Sequence, residues 1–130
     1  MQINRPDALA EVWQAYRRYE AALLAADAKT LDELFWDSAH TIRYGVGEII
    51  YGHAAIAAFN ARRRPNTQRV IADTVVTTYG EDFATASTLF LDVPEGKIGR
   101  QMQSWARMAD GWRVVAAHVS VIDMPAEIGR

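Results

Sequence analysis

Cysteine is absent from all 130 residues. That removes disulfides, thiol nucleophiles and thiolate metal sites together, and it favours a reducing cytoplasm. An excess of either charge is missing too: 14 Lys and Arg against 16 Asp and Glu leave a formal charge of −2. Nucleic acid and anionic membrane are therefore poor partners. No run approaches the roughly 20 apolar residues of a membrane span. The start, MQINRPDALAEV, has no apolar signal-peptide core. His40, His53 and His118 stand apart, with no HExxH or other metal spacing. No G-x-S-x-G elbow, phosphate-cradling glycine loop or dinucleotide fingerprint occurs. Repeats, low-complexity segments and linkers are missing as well. What remains is one domain, residues 1–130, with half its residues hydrophobic. Its site is expected to hold no cofactor and no metal, and to be built from Tyr, Arg, Glu, His and Gln.

Residues 5–64 carry mostly the helical period. Leu9, Val12, Trp13, Tyr16, Leu23 and Leu24 predict a helix from Arg5 to Ala26. At about 100° per residue, Glu20 falls near the centre of that apolar stripe, between Leu9 and Trp13, with Tyr19 at one edge. A core-facing glutamate must be paired, hydrogen-bonded or protonated, so this helix is expected to border a polar pocket. Thr30, with Glu33 three residues on, predicts a capped short helix from Leu31 to Phe35. His40 to Tyr44 and Ile49 to Tyr51 read as strands around a Gly45-Val46-Gly47 turn. Gly52 to Arg64 reads as a third helix, stopped by Pro65.

From Thr67 the period becomes two. Strands are expected over 68–79, 82–93, 97–109 and 112–123, broken at Gly80-Glu81, Pro94-Glu95-Gly96 and Asp110-Gly111. The expected fold is α+β: a cone-shaped, strongly curved antiparallel sheet covered by three helices. If Asp110-Gly111 is the turn, Trp105 faces Ala116, Gln103 faces His118 and Gln101 faces Ser120. These six share one polar, uncharged face with an aromatic floor, suited to a ligand. Met102, Ser104, Ala106, Val115, Ala117, Val119 and Val121 take the other face.

Each candidate has an ordinary structural reading beside the functional one. Tyr19 and Glu20 are either helix packing and wet rim, or a phenol in the pocket oriented by a carboxylate. Arg43 either faces solvent from its strand or turns inward as a bidentate fork for a carboxylate. Arg63 is either part of a solvated basic run or, sharing a face with Phe59 and Ile56, reaches a cavity mouth. His118 and Gln103 are either a satisfied core pair or ligand contacts, and Trp105 and Ser120 line the same stripe. Glu48 and Tyr51 read as structural.

This arrangement resembles the nuclear transport factor 2-like superfamily, which includes ketosteroid isomerase and SnoaL-like cyclases. Three stretches resemble the narrower AtzH-like family, with its HpxZ members of oxalurate catabolism. They are Tyr19-Glu20-Ala21-Ala22-Leu23, then Leu34-Phe35-Trp36 through Thr41-Ile42-Arg43-Tyr44-Gly45 to Tyr51-Gly52, and Gly99-Arg100-Gln101 through Trp105 to Gly111-Trp112-Arg113-Val114-Val115-Ala116-Ala117-His118-Val119-Ser120. The resemblance implies a cofactor-free decarboxylating amidohydrolase of nitrogen catabolism, acting on 1,3-dicarboxyurea with loss of CO2 to leave allophanate. It implies Tyr19 and Arg43 as the catalytic pair; Glu20, Arg63, Gln103, Trp105, His118 and Ser120, read above from period and register, are expected to shape the pocket for a small polar anion. It also implies a homodimer formed through the sheet and a functional link to an amidase; the strand face of Met102, Ala106, Val115, Val119 and Val121 is the one expected to serve the interface. Asn60 departs from the F-R-x-x-R pattern of the family, which points away from a dicarboxylate; His40 before Thr41 is a second departure. Two rival readings are a non-catalytic assembly subunit docking on an amidase, and a ketosteroid isomerase-like enzyme using Asp73 or Asp92 as base.

Overall fold

Pro6 opens α1 (Pro6–Ala25) at a turn where a missing N–H costs nothing, and Asp7 there complements the helix dipole. Ala26 ends the helix at φ 53°, and the Asp27 N–H closes on the Ala22 carbonyl at 2.9 Å. The chain is described by a computed structural model covering residues 1–127; residues 128–130 of the expected domain lie outside the described residues. The buried face of α1 is Ala8, Val12, Tyr16, Tyr19, Ala22 and Leu23. The stripe thus centres on Tyr16 and Tyr19, not on Glu20. Leu24 is exposed and Leu9 and Trp13 are half-buried, so the helix is rotated from the expected orientation.

The second helix, α2 (Ala28–Leu34), starts earlier than expected because its cap is Asp27. The Asp27 carboxylate accepts from the Thr30 N–H at 3.2 Å and the Thr30 hydroxyl at 2.7 Å. Two short strands follow, β1 (Ile42–Tyr44) and β2 (Ile49–Tyr51), and then α3 (His53–Asn60). That helix ends four residues before Arg64, and Asn60 is its last residue. Arg63 lies beyond it, held by a turn in which its N–H donates to the Asn60 carbonyl at 3.1 Å. The meander is β3 (Ile71–Tyr79), β4 (Phe83–Phe90), β5 (Lys97–Met108) and β6 (Gly111–Asp123).

Among the described residues, the three helices lie on one six-stranded sheet in the order β2-β1-β6-β5-β4-β3. All neighbours are antiparallel except β1 and β6, which run parallel. Bulges at Ala72/Val75 and Ser104/Trp105 break the ladders and bend the strands. The core fills the space between helices and sheet with Val12, Leu31, Leu34, Phe35, Ile56, Trp105 and Val114, all essentially buried. Each such aliphatic or aromatic side chain contributes about 1.5–3 kcal/mol of burial.

The β5–β6 register corrects the expected one. Met108 pairs with Gly111, so the turn is Ala109-Asp110, and Gly111 supplies positive φ (124°) as the first strand residue. Beyond the bulge Gln103 pairs with Ala117, Met102 with His118 and Arg100 with Ser120. Gln101, Gln103 and Trp105 face inward as expected, but their β6 partners are inverted. His118 and Ser120 lie on the outer face, away from the helices. His118 stacks edge-on against Tyr44 at 6.0 Å, and Ser120 accepts from Arg100 Nε at 3.2 Å. Of the expected interface residues, Met102 and Ala106 stay on the outer face, whereas Val119 and Val121 pair with inward-facing Gln101 and Gly99.

Candidate functional site

The inner face of the sheet carries one row running across five strands through paired positions: Arg43, Ala117, Gln103, Ala86 and Val76. Alternation along β1 sends Arg43 inward beside Ala117, while Ile42 and Tyr44 go outward. Arg43 is buried, and its Nη1 donates to Glu48 Oε1 at 2.9 Å. Its guanidinium lies 4.4 Å from the Phe59 ring centroid, a cation–π contact. Its Nε is buried and has no hydrogen-bond partner among the described residues. Gly45 makes the ion pair possible: a Cβ there would collide with both Glu48 Oε1 and Arg43 Nη1. Glu48 is therefore the carboxylate that holds Arg43; Glu20 does not.

Glu20 has a different cation. Its side chain is only 13% exposed and takes a two-pronged pair from Arg69, Nε to Oε1 at 2.7 Å and Nη2 to Oε2 at 3.1 Å. The Tyr16 hydroxyl donates to Glu20 Oε2 at 2.9 Å, and Gln101 Oε1 accepts from Arg69 Nη2 at 3.2 Å. Arg69 is itself buried against the Phe90 ring at 5.3 Å, and that ring packs over Gly99, where a Cβ would strike it. Burial lowers the Arg69 pKa, but the hydrogen bonds and charge of Glu20 outweigh it and leave the pKa raised. Burial first, then the charge and hydrogen bond of Glu20, push the Tyr16 phenol far above its ordinary value.

Arg63 completes the cluster, and among the described residues no carboxylate pairs with it. Its Nε donates to Asn60 Oδ1 at 3.0 Å, and Asn60 Nδ2 donates to Asp32 Oδ1 at 3.0 Å. Asn60 is almost wholly buried, so this relay fixes the arginine. Arg63 shares the Phe59 ring with Arg43, at 4.9 Å. Burial above all pulls its pKa below the ordinary value; the Tyr19 oxygen opposes this, and the charges of Arg43 and Arg69 add to it. Arg63, Arg64, Arg69, Leu23 and Asn66 border a cleft of about 280 Å³.

Tyr19 stands on α1 facing this cluster. Its ring meets Phe35 at 5.9 Å and Trp105 at 6.4 Å, both edge-on. It is 2% exposed, and no side-chain hydrogen bond reaches its hydroxyl among the described residues. Trp105 Nε1 donates to Gln103 Oε1 at 3.0 Å, which fixes the Gln103 amide and leaves its NH2 group buried without an acceptor. Such an orphan donor costs about 1–3 kcal/mol.

Tyr19, Arg43, Arg63, Gln103 and Trp105 thus converge on one interior, bordered by Glu20, while His118 and Ser120 are excluded from it. Arg69 went unrecognised from sequence, although a carboxylate at the core edge required some distant cation. Asp73 is exposed in the β3 bulge at φ 52°, and Asp92 accepts from Asn66 at 2.8 Å. Among the described residues no cluster of His, Cys, Asp or Glu is disposed to hold a metal, and no helix is long and apolar enough to cross a membrane.

The curved sheet with helices over one face defines the cystatin-like, nuclear transport factor 2-like fold. A cystatin-like fold protein from Burkholderia xenovorans is 48% identical, covers 96% of this chain and 99% of its own, and superposes with a TM-score of 0.91. A protein of unknown function from Pectobacterium atrosepticum is 50% identical over 93% and 95% of the two chains, with a TM-score of 0.88. A nuclear transport factor 2-like protein of unknown function in nutrient uptake from Rhodospirillum rubrum is 25% identical over 85% and 98%, with a TM-score of 0.66. No curated protein matches. The chain belongs to the AtzH-like family, whose model matches residues 1–125.

Proposed function

We propose that this protein is a cytoplasmic, cofactor-free decarboxylating amidohydrolase of small N-carboxylated ureas, serving nitrogen catabolism of the oxalurate type. The observation that carries this reading is Tyr19, a buried residue on α1 close to Arg63 and Arg69, the arginines that gather with Arg43. An N-carboxylate loses CO2 once its nitrogen is protonated, because the departing nitrogen is then neutral. Tyr19 supplies that proton; the C–N bond breaks, its electron pair stays on nitrogen, and CO2 leaves. The phenolate left behind is stabilised by the guanidinium charges nearby and is reprotonated by solvent. Arg43 and Arg63 hold the substrate oxygens. Glu20 acts at one remove, through Arg69. General acid assistance and orientation supply about 10²–10⁴-fold, enough for a reaction that is not slow unaided. An amidase working on the same ureas is the functional link expected from sequence.

The polar, arginine-lined interior supports an enzyme over an assembly subunit. Release of CO2 from freshly generated carboxyureas by wild type, Tyr19→Phe and Arg43→Ala tests the assignment. Equal rates in all three overturn it. The homodimer belongs to the same reading: the outer sheet row of Ile49, Tyr44, His118, Met102, Ser87 and Val75 is the face proposed to meet a second copy.

A further inference from the structure

The interior holds three buried or half-buried guanidiniums that are not equivalent. Arg43 is neutralised by Glu48 at 2.9 Å, and Arg69 by Glu20 at 2.7 Å. Arg63 has no carboxylate within 4.0 Å among the described residues, and its Nε is occupied by the neutral amide of Asn60. Only its two terminal nitrogens are left, as one fork for one carboxylate. Arg64 beside it is exposed, so water screens its charge.

Two further donors stand in one row of the sheet. Arg43 Nε and Gln103 Nε2 are both buried and both lack an acceptor. They belong to the same inner row, on β1 and β5, with Ala117 of β6 between them. The side chain between the two is a single methyl group, that of Ala117. Neither donor adds uncompensated charge: one belongs to an arginine already paired, the other to an amide. Donors of that kind suit the oxygen of a neutral carbonyl, where a second carboxylate would lack a counter-charge.

Resting on the anion-binding site described under Proposed function, we infer that the ligand is a monoanion: one carboxylate taken by Arg63, and one uncharged carbonyl oxygen taken by Arg43 Nε and Gln103 Nε2 across Ala117. A urea carboxylated on a single nitrogen has that pattern; a dicarboxylated urea does not.

Three small probes of one skeleton test this by calorimetric titration of the whole protein: malonamate (one carboxylate, one amide), malonate (two carboxylates) and malonamide (none). Malonamate is expected to bind roughly tenfold tighter than either of the others. Malonate binding as tightly as malonamate overturns the inference. Gln103→Leu should weaken malonamate about tenfold and leave propionate, which has no second carbonyl, unchanged; equal losses for both overturn it. Glu48→Gln, which keeps a side-chain oxygen to accept from Arg43 Nη1, frees the charge of Arg43 and should shift preference toward malonate. An unchanged order in that variant also counts against the assignment. These are binding readouts, independent of turnover. Malonamate preference without CO2 release from carboxyureas would keep this inference and remove the decarboxylase reading; malonate preference with CO2 release would do the reverse.

Discussion

Two rows of the same sheet, one residue apart in register, differ in kind. The inner row runs Arg43, Ala117, Gln103, Ala86, Val76; the outer row runs Tyr44, His118, Met102, Ser87, Val75. Inside, small residues separate polar groups that are almost wholly buried, and two donors are left without acceptors. Outside, large side chains stand exposed, with Met102 at 57%, and the polar groups there face water. The period of a strand makes such a division cheap to encode, since one step moves a side chain to the opposite face. Unsatisfied donors inside cost stability that only a ligand returns. Exposed apolar groups outside cost solubility that only a partner surface returns.

The contrast breaks most sharply at Tyr19. Tyr19→Phe keeps the edge-on contacts with Phe35 and Trp105, so folding should be unchanged while decarboxylation falls by about 10²–10⁴-fold. Stopped-flow CO2 detection, with circular dichroism as the folding control, checks it. Next is Glu20→Ala, which strands the Arg69 charge in an interior where that side chain is 8% exposed. Breaking a buried pair from one side costs about 3–5 kcal/mol, read as a loss in urea denaturation.

A smaller effect follows pH. The Tyr16 phenol is raised above its usual value of 10.0, so the folded state holds its proton more tightly than the unfolded state. Stability from this group is full below pH 10.0 and is lost as pH climbs above it. Tyr16→Phe should flatten the alkaline limb of the stability curve; an unchanged limb would mean that Tyr16 is not the group responsible. The smallest effect on the fold belongs to the outer row. Met102→Glu should change monomer stability by no more than about 0.5 kcal/mol, yet halve the mass seen by light scattering if a second copy covers this face.

The fold class was legible in the sequence, because helical and two-residue periods are local properties; the same alternation put Arg43 opposite Ile42 and Tyr44 without fixing which face is inward. The β6 half of the site was not. Asp110-Gly111 reads as a turn, yet Gly111 spends its positive φ on the first strand residue, and a bulge near Val115 shifts the ladder again. The turn shift moves the pairing by two residues and keeps every side chain on its face; the bulge alone inverts β6 beyond Val115, which is why Gln103 and Trp105 were placed well and His118 and Ser120 were not. Glu20 was drawn to the stripe centre by counting Leu24 as core, although Leu24 is exposed. Its partner Arg69 lies 49 positions away in an irregular segment before β3, where no periodicity speaks. Asn60 reads as a lost charge in sequence; in space it is the bracket that aims Arg63.

The ribbon that carries Arg43 has the least grip of any part of the sheet. Both β1 and β2 are three residues long, and β2 is an edge. Protection from hydrogen exchange should therefore be lower at Arg43 than at Gln103, which sits in the middle of a twelve-residue strand. On warming, the ribbon peels before the meander melts, so the site loses its anchor while the barrel-like body is still intact. Heat inactivation should then precede unfolding and, on cooling, reverse without aggregation.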